Sequence, residues 1–180
     1  EGDGVKYIFG PLGSPPVLAA QAVAAPDKAM ILSSGYSPKV LTPEGKYNFR
    51  ITLSTPEFAS AFTRWLSAAH PDAKRVGIIG PNDATGQSVI PILVDAYNKA
   101  GFEVILDERI ERGTTDFTPL VTRMIAQQID IIELDSNTPG DAGLIVKQTR
   151  QLGYDGVIIQ TGGPAIDEVI AIAGPLAEDY

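Results

Sequence analysis

Arg75-Val76-Gly77-Ile78-Ile79-Gly80 is a short apolar run that opens into a polar loop and then into Thr85 to Ala100, where Val89, Ile90, Leu93, Val94 and Tyr97 recur at helical spacing. Gly101 stops that helix, and Phe102 to Asp107 begins a second apolar run. A buried strand, a helix with one apolar face and another buried strand, in that order, form the unit of a parallel sheet. The crossover that a parallel pair requires also covers one face of the sheet. The pattern continues downstream. Thr114-Thr115-Asp116-Phe117 caps a helix running through Gln128, Ile131 to Leu134 reads as a strand, and Asp141 to Leu152 as a helix ended by Gly153. Gly156 to Gln160 reads as a further strand and Pro164 to Ala173 as a last helix closed by Gly174. Upstream, Thr55 caps a helix with Pro56 and Glu57 in its first turn. Its apolar face is formed by Phe58, Ala61, Phe62, Trp65, Leu66 and Ala69, and it stops near His70-Pro71. The aromatic residues of that face, at helical spacing, read as core.

Nearer the N-terminus the elements are fewer. Val5 to Gly10 reads as a strand, Pro11 to Pro16 as a loop that opens a helix, Val17 to Ala25 as that helix, and Lys28 to Leu32 as a second strand. The second strand ends in the polar loop Ser33-Ser34-Gly35-Tyr36-Ser37-Pro38. Two strands and one helix cannot make a core alone. Tyr47 to Leu53, extended and of mixed polarity, reads as a strand crossing between two parts of the molecule. The expected fold is therefore α/β, a parallel sheet with helices on both faces. Residues 1–49 form a partial N-terminal lobe and residues 50–180 a second, nearly complete one.

The composition narrows the function. Twenty-two carboxylates against 14 Lys and Arg leave a net charge of -8, which disfavours nucleic-acid phosphates and anionic membrane surfaces and makes a small-molecule partner the better expectation. There is no cysteine, hence no disulfide framework, thiolate nucleophile or cysteine metal site. The first residues, Glu1-Gly2-Asp3-Gly4, lack the basic segment and apolar run of a signal peptide, and no stretch approaches the ~18 apolar residues of a membrane span. A soluble chain without direct membrane insertion is expected.

Few motifs invite chemistry. Gly80 to Ser88 has the outline of a phosphate loop, but five residues separate its glycines and Gln87 stands where a lysine is needed. What remains is a loop at the carboxyl end of a strand feeding a helix N-terminus, suited to an anionic or polar ligand. The sole histidine, His70, sits at a helix end and reads as a cap. With no second histidine and no cysteine, neither a common zinc site nor any cofactor is expected, and a Ser-His-Asp arrangement would rest wholly on His70. The acid pairs Glu108 with Glu111 and Glu133 with Asp135 stand at strand ends or near helix starts, where carboxylates are usually solvent-facing or capping. Tyr36 differs, because it stands in a Ser/Gly loop with no obvious core to join, and it reads either as lining a pocket or as exposed.

The order of these pieces resembles the type I periplasmic binding proteins, typified by the branched-chain amino-acid binding proteins. The resemblance is carried by Gly4 to Ser14, by Met30 to Pro38 with Leu41-Thr42, by Phe49-Arg50, and by Arg75 to Ile79 with Gly86. Gly113-Thr114-Thr115-Asp116-Phe117 with Leu120, Gln148 to Gly153 and Ile172-Ala173-Gly174 complete it. It implies that the chain is a fragment of a two-lobed protein that closes on a small ligand between its lobes. By the same resemblance, Leu12, Gly13 and Ser14 form a first loop for a ligand carboxylate, with Ser14 as hydroxyl donor. Ser34 and Tyr36 fall in a second loop, and Thr85 and Asn137 or Thr138 fall where the family places aromatic covers. Gly162 stands where amino-acid binders carry an acid for the ligand's ammonium, and only Glu133 or Asp135 is at hand to replace it. A buried ammonium without a partner costs several kcal/mol, so an aliphatic or aromatic carboxylate, or another small polar solute, is expected ahead of an α-amino acid.

The function this implies is non-enzymatic. It is that of a periplasmic or extracytoplasmic solute-binding component of an ABC importer, with a small organic acid or amino acid and a membrane permease as partners and no nucleic acid. A ligand-sensing domain of a receptor or regulator on the same fold is the alternative. An enzyme would need a catalytic constellation that the chain lacks.

Overall fold

Strand β4 (Arg75–Pro81) pairs in parallel with β5 (Glu103–Ile110) on one side and with β6 (Ile131–Glu133) on the other, and β6 pairs with β7 (Val157–Ile159). The order β5-β4-β6-β7 makes a four-stranded parallel sheet, seen in a computed structural model that describes residues 4–43, 45–163 and 166–180. Glu1, Gly2, Asp3, Glu44, Pro164 and Ala165 lie outside the described residues, and with them the expected helix start at Pro164.

Successive β4 side chains point to opposite faces, and each face meets its own apolar layer. Val76 and Ile78 pack with Leu66, Val89, Leu93 and Tyr97 of α2 (Thr55–Ala69) and α3 (Ala84–Lys99). Ile79 packs on the other face with Phe117, Met124 and Ile145, where α4 (Thr118–Ala126), α5 (Pro139–Gln151) and α6 (Ile166–Ala173) gather. Helices thus cover both faces, as the alternating pattern implies.

The first part of the chain builds a separate three-stranded parallel sheet, β1 (Tyr7–Leu12), β2 (Met30–Ser34) and β3 (Asn48–Arg50), in that order. The stretch expected to cross between lobes supplies its third strand, since Leu32 is in register with Phe49. The crossing follows, over Ile51 to Ser54. One face of this sheet is covered by α1 (Ser14–Ala24), through Ile8, Ala20, Ala24 and Ile31. The face carrying Tyr7, Phe9 and Phe49 is bare, with Tyr7 74% and Phe9 82% exposed.

Two local readings change. Helix α2 is capped by Ser54, not Thr55: the Ser54 N–H and hydroxyl both donate to Glu57, and the Glu57 N–H bonds back to Ser54 in a capping box. Its buried line is Thr55, Ala59, Thr63 and Leu66, while Trp65 is 57% exposed. The aromatic residues therefore fringe the core: Phe58 and Phe62 pack on it from the side, and Trp65 leans on Phe62 with 5.5 Å between ring centroids. The mixture of Phe with Ala and Thr at helical spacing does not distinguish these two faces.

The start of α3 passes directly under the end of β4, so that a Cβ on Gly86 would overlap the Pro81 carbonyl oxygen. No rotamer change relieves a clash with backbone. Gly86→Ala is expected to cost ~3 kcal/mol or more, read as a lowered midpoint in urea or thermal unfolding, whereas Ala84→Gly in the same turn shifts it by roughly 1 kcal/mol.

Candidate functional site

The carboxyl ends of β1, β2, β4, β5 and β6 converge on a cavity of about 470 Å³ between the two sheets. From the first sheet it is lined by Leu12, Gly13, Pro15 and Pro16, which follow β1 into α1, and by Tyr36 after β2. From the second it is lined by Asp83 and Thr85 after β4, Arg112 after β5, and Ser136 to Pro139 after β6. Loops at strand carboxyl ends in a parallel sheet are free to face a ligand because their hydrogen-bonding groups are not consumed by the ladder. A larger concavity of about 980 Å³ near Trp65, Tyr154 and Tyr180 gathers none of these loops.

Six of the nine residues singled out in the sequence line the cavity together: Leu12, Gly13, Tyr36, Thr85, Asn137 and Thr138. Three do not. Ser14 is fully buried and its Oγ accepts from the Ser37 N–H at 3.1 Å, which ties the β1 loop to the β2 loop. Ser34 ends β2, and its carbonyl accepts the Gly13 N–H at 3.0 Å. Gly162 packs under the wall, where a Cβ would fall on Asp135 Oδ1 and within 3.0 Å of Phe58 Cζ. No side chain fits at that position while Asp135 occupies the space.

Tyr36 resolves in favour of lining. It is half-buried, stands edge-on to Phe58 with 6.0 Å between centroids, and desolvation followed by the nearby Asp135 raises its pKa. Thr138 caps α5, its Oγ1 accepting from Asp141 N at 3.1 Å and donating to Asp141 Oδ2 at 2.8 Å. Asn137 donates to the Ile79 carbonyl at 2.7 Å and the Leu134 carbonyl at 3.0 Å, fastening the β6 loop to β4. Its Oδ1, like Thr85 Oγ1, is buried without a partner among the described residues.

Asp83, Arg112 and Ser136 line the cavity as well, beyond the residues that the sequence singles out. Asp83 caps α3, its Oδ1 accepting from Thr85 N at 2.8 Å and Gly86 N at 3.1 Å. Its Oδ2 accepts from Arg112 Nε at 2.7 Å, and Arg112 Nη1 donates to the Ser136 carbonyl at 3.3 Å. An acid immediately before a helical run was a readable N-cap signal; Arg112 gave none beyond its place after a strand.

Glu133 and Asp135, expected to face solvent, are fully buried. Glu133 accepts from Tyr97 Oη at 2.6 Å, from Thr161 N at 2.8 Å and from Thr161 Oγ1. Asp135 Oδ2 accepts from Ser136 Oγ at 2.7 Å, and its Oδ1 has no partner among the described residues. Burial raises the pKa of both, and the Glu133 charge pushes Asp135 up further. His70 caps α2, its N–H donating to the Leu66 carbonyl at 2.9 Å. Among the described residues no three His, Cys, Asp or Glu side chains cluster to hold a metal, and no helix is long and apolar enough to cross a membrane.

All 180 residues match the family model described as periplasmic binding protein. The chain is similar to the Leu/Ile/Val/Thr-binding protein of Salmonella typhimurium, 27% identical over 178 residues that make up 98% of this chain and 48% of that protein. It is also similar to the Leu/Ile/Val-binding protein homolog 1 of Brucella suis, 25% identical over 98% of this chain and 47% of that protein. Among solved structures it matches an extracellular ligand-binding receptor from Rhodopseudomonas palustris at a TM-score of 0.87 and 26% identity, over 99% of this chain and 49% of that one. A solute binding protein of an ABC transporter from the same species, in complex with 3,4-dihydroxy benzoic acid, shares the fold at a TM-score of 0.76 and 22% identity, over 94% of this chain and 45% of that one. The chain spans about half the length of these proteins.

The buried acids predict a pH dependence. A carboxyl whose pKa is higher folded than unfolded binds more protons in the native state, so its contribution to stability is present below the ordinary carboxylate pKa and is lost as pH rises toward the raised value. Asp135→Asn removes the ionisation while keeping the shape. The variant is expected to lose less stability than the wild-type chain between pH 4 and 8, measured as the change in unfolding midpoint; equal losses would mean that Asp135 does not titrate in this range.

Proposed function

Because the chain belongs to the periplasmic binding protein family, we propose that it forms the ligand-gripping part of an extracytoplasmic solute-binding component of an ABC importer. The observation that carries this reading is the cavity between the two sheets, walled by loops from five strand ends. A binding protein needs two walls on separate bodies, so that a ligand contacting both favours the closed arrangement by its differential affinity. Leu12 and Tyr36 stand on one body and Thr85, Asn137 and Thr138 on the other. The bare face of the first sheet, with Tyr7, Phe9 and Phe49, supports the further reading that residues 1–49 are part of a larger lobe, since so much exposed apolar surface needs a covering layer. The closed form would present itself to a membrane permease in the periplasm.

The ligand in this reading is a small carboxylate in preference to an α-amino acid. Gly162 offers no acid, and Asp135, which fills that space, is fully buried and not part of the cavity lining. The walls are otherwise largely apolar, through Leu12, Pro15, Pro16, Tyr36 and Pro139.

A thermal-shift screen of the protein that carries this chain tests the proposal, using leucine, isoleucine, valine, and aliphatic and aromatic carboxylates. A ligand at 100 times its Kd adds about 2.7 kcal/mol to stability. Stabilisation by carboxylates is expected. Stabilisation by leucine, isoleucine and valine alone would keep the transport role and overturn the ligand class, and no stabilisation by any of them would count against solute binding of this kind.

A further inference from the structure

The cavity separates its polar and apolar groups unevenly between its two walls. On the first sheet, the loop after β1 presents Pro15 and Pro16, which carry no N–H, and the Gly13 N–H is already spent on the Ser34 carbonyl. Helix α1 therefore begins without the cluster of free backbone donors that makes a helix N-terminus an anion site. Ser14 Oγ is fully buried and engaged by the Ser37 N–H. The first-sheet residues that line the cavity, Leu12, Gly13, Pro15, Pro16 and Tyr36, therefore offer an anion no charged donor.

The second sheet differs. Arg112 lines the cavity with its side chain 36% exposed, and among the described residues only two of its N–H groups find acceptors: Nε on Asp83 at 2.7 Å and Nη1 on the Ser136 carbonyl at 3.3 Å. A guanidinium has five N–H groups in a plane, an arrangement that matches both oxygens of a carboxylate. The Asp83 carboxylate that faces it is committed elsewhere as well, with Oδ1 held by the Thr85 and Gly86 N–H groups at the start of α3. This fixes the Arg112 Nε and leaves the other end of the fork for a ligand. Thr85 Oγ1 and Asn137 Oδ1 line the same wall, each in a residue at most 3% exposed and each unpartnered among the described residues. Of these two atoms, the Thr85 hydroxyl can donate to a carboxylate, whereas the Asn137 oxygen only accepts and is completed by a water or by an N–H or O–H of the ligand. Helices α3 and α5 also begin at this wall, but their first N–H groups are taken by Asp83 and by Thr138, which leaves the guanidinium as the cationic group facing the cavity.

We propose that Arg112, with Asp83 holding its Nε, anchors the carboxylate of the ligand from the second lobe, so that the acidic end of the ligand lies at this wall and its apolar body against Leu12, Pro15 and Tyr36. The inference rests on the solute-binding reading above and names the residue that selects the ligand's charge. It places the carboxylate opposite the β1 loop, to which the family resemblance assigns it.

Isothermal titration of the protein that carries this chain with benzoate, benzamide, isovalerate and isovaleramide tests it. Each amide keeps the shape of its acid and removes the charge. Arg112→Gln is expected to weaken the acids by about tenfold or more and to weaken the amides much less. Asp83→Asn, which keeps an effective helix cap and removes the counter-charge, is expected to tighten the acids. Arg112→Lys, which keeps the charge and loses the fork, guards against misfolding and is expected to fall between Arg112→Gln and wild type. Acids bound equally by wild type and Arg112→Gln would overturn the anchor while leaving solute binding intact, as would loss of the acids in Ser14→Ala alone. Failure of the wild-type protein to bind any of the four, or leucine, would instead overturn the solute-binding reading on which the anchor depends.

Discussion

Strand β4 is hydrogen-bonded along both edges and covered on both faces, and that one constraint sets the position of almost everything the cavity uses. Its backbone groups are spent on β5 and β6, and Val76, Ile78 and Ile79 are wholly removed from water. At roughly 25 cal/mol per Å² of apolar surface, a strand buried on both faces is the most strongly placed element in such a sheet. The loop that leaves its carboxyl end cannot drift, because Gly86 passes in contact with the Pro81 carbonyl and Asp83 caps the next helix. Asn137, on the loop after β6, reaches back to the Ile79 carbonyl, so a second wall segment is referred to the same strand. Arg112, after β5, is held by Asp83 and the Ser136 carbonyl. Three loops from three strands are thereby fixed to one another before any ligand arrives, which is the preorganisation that binding requires.

The first sheet is joined to this frame by polar contacts rather than by a shared core. The Thr55 N–H donates to the Tyr36 carbonyl at 3.2 Å, and Ser88 and Ser37 bond through their hydroxyls at 2.7 Å. Tyr36 and Phe58 add one aromatic contact. All of these meet on the single loop after β2. Contacts of this kind, few and local, hold two bodies in register while leaving them free to rotate about the loop that joins them. Within the first sheet Ser14 steadies the same loop, its buried hydroxyl oxygen accepting the Ser37 N–H, a structural use of a residue that the family resemblance marked for the ligand.

How much of this was legible depended on how local the cause was. Strand β4, α3 and β5 were read almost to their ends, since a doubly buried strand and a helix with one apolar face announce themselves over a few residues. Strand β3 was taken for a crossing segment because its sequence alternates Asn, Phe and Arg, and only its pairing with β2 shows Asn48 pointing inward to donate to the Val40 carbonyl at 2.6 Å. The buried state of Glu133 depends on Tyr97 and Thr161, 36 and 28 residues away, and no local pattern encodes such donors. Six residues that line the cavity were named through the family resemblance of their loops, whereas Arg112 was not, because its significance comes from Asp83 on a different strand end. Site residues defined by their own loop were visible; those defined by a partner across the sheet were not.

The second sheet carries charge of both signs close to the cavity: Asp83 lines it paired with Arg112, and a further acid is set apart from both by depth. Arg112 stands at the surface of the wall, while Asp135 lies behind it, fully buried, with burial and then the Glu133 charge pushing its pKa well above the usual carboxylate range. A carboxyl biased in this way toward its neutral form repels an incoming anion far less than an ionised one would, because Coulombic repulsion in a low-dielectric interior is strong only between charges. Replacing Gly162 by an acid would reverse the balance, setting a new charge beside Asp135 where there is no volume for it. The glycine and the buried acid therefore form one arrangement: the space that a side chain at residue 162 would take is given to a group shielded from the cavity, and the exposed guanidinium is left to set the sign of what binds.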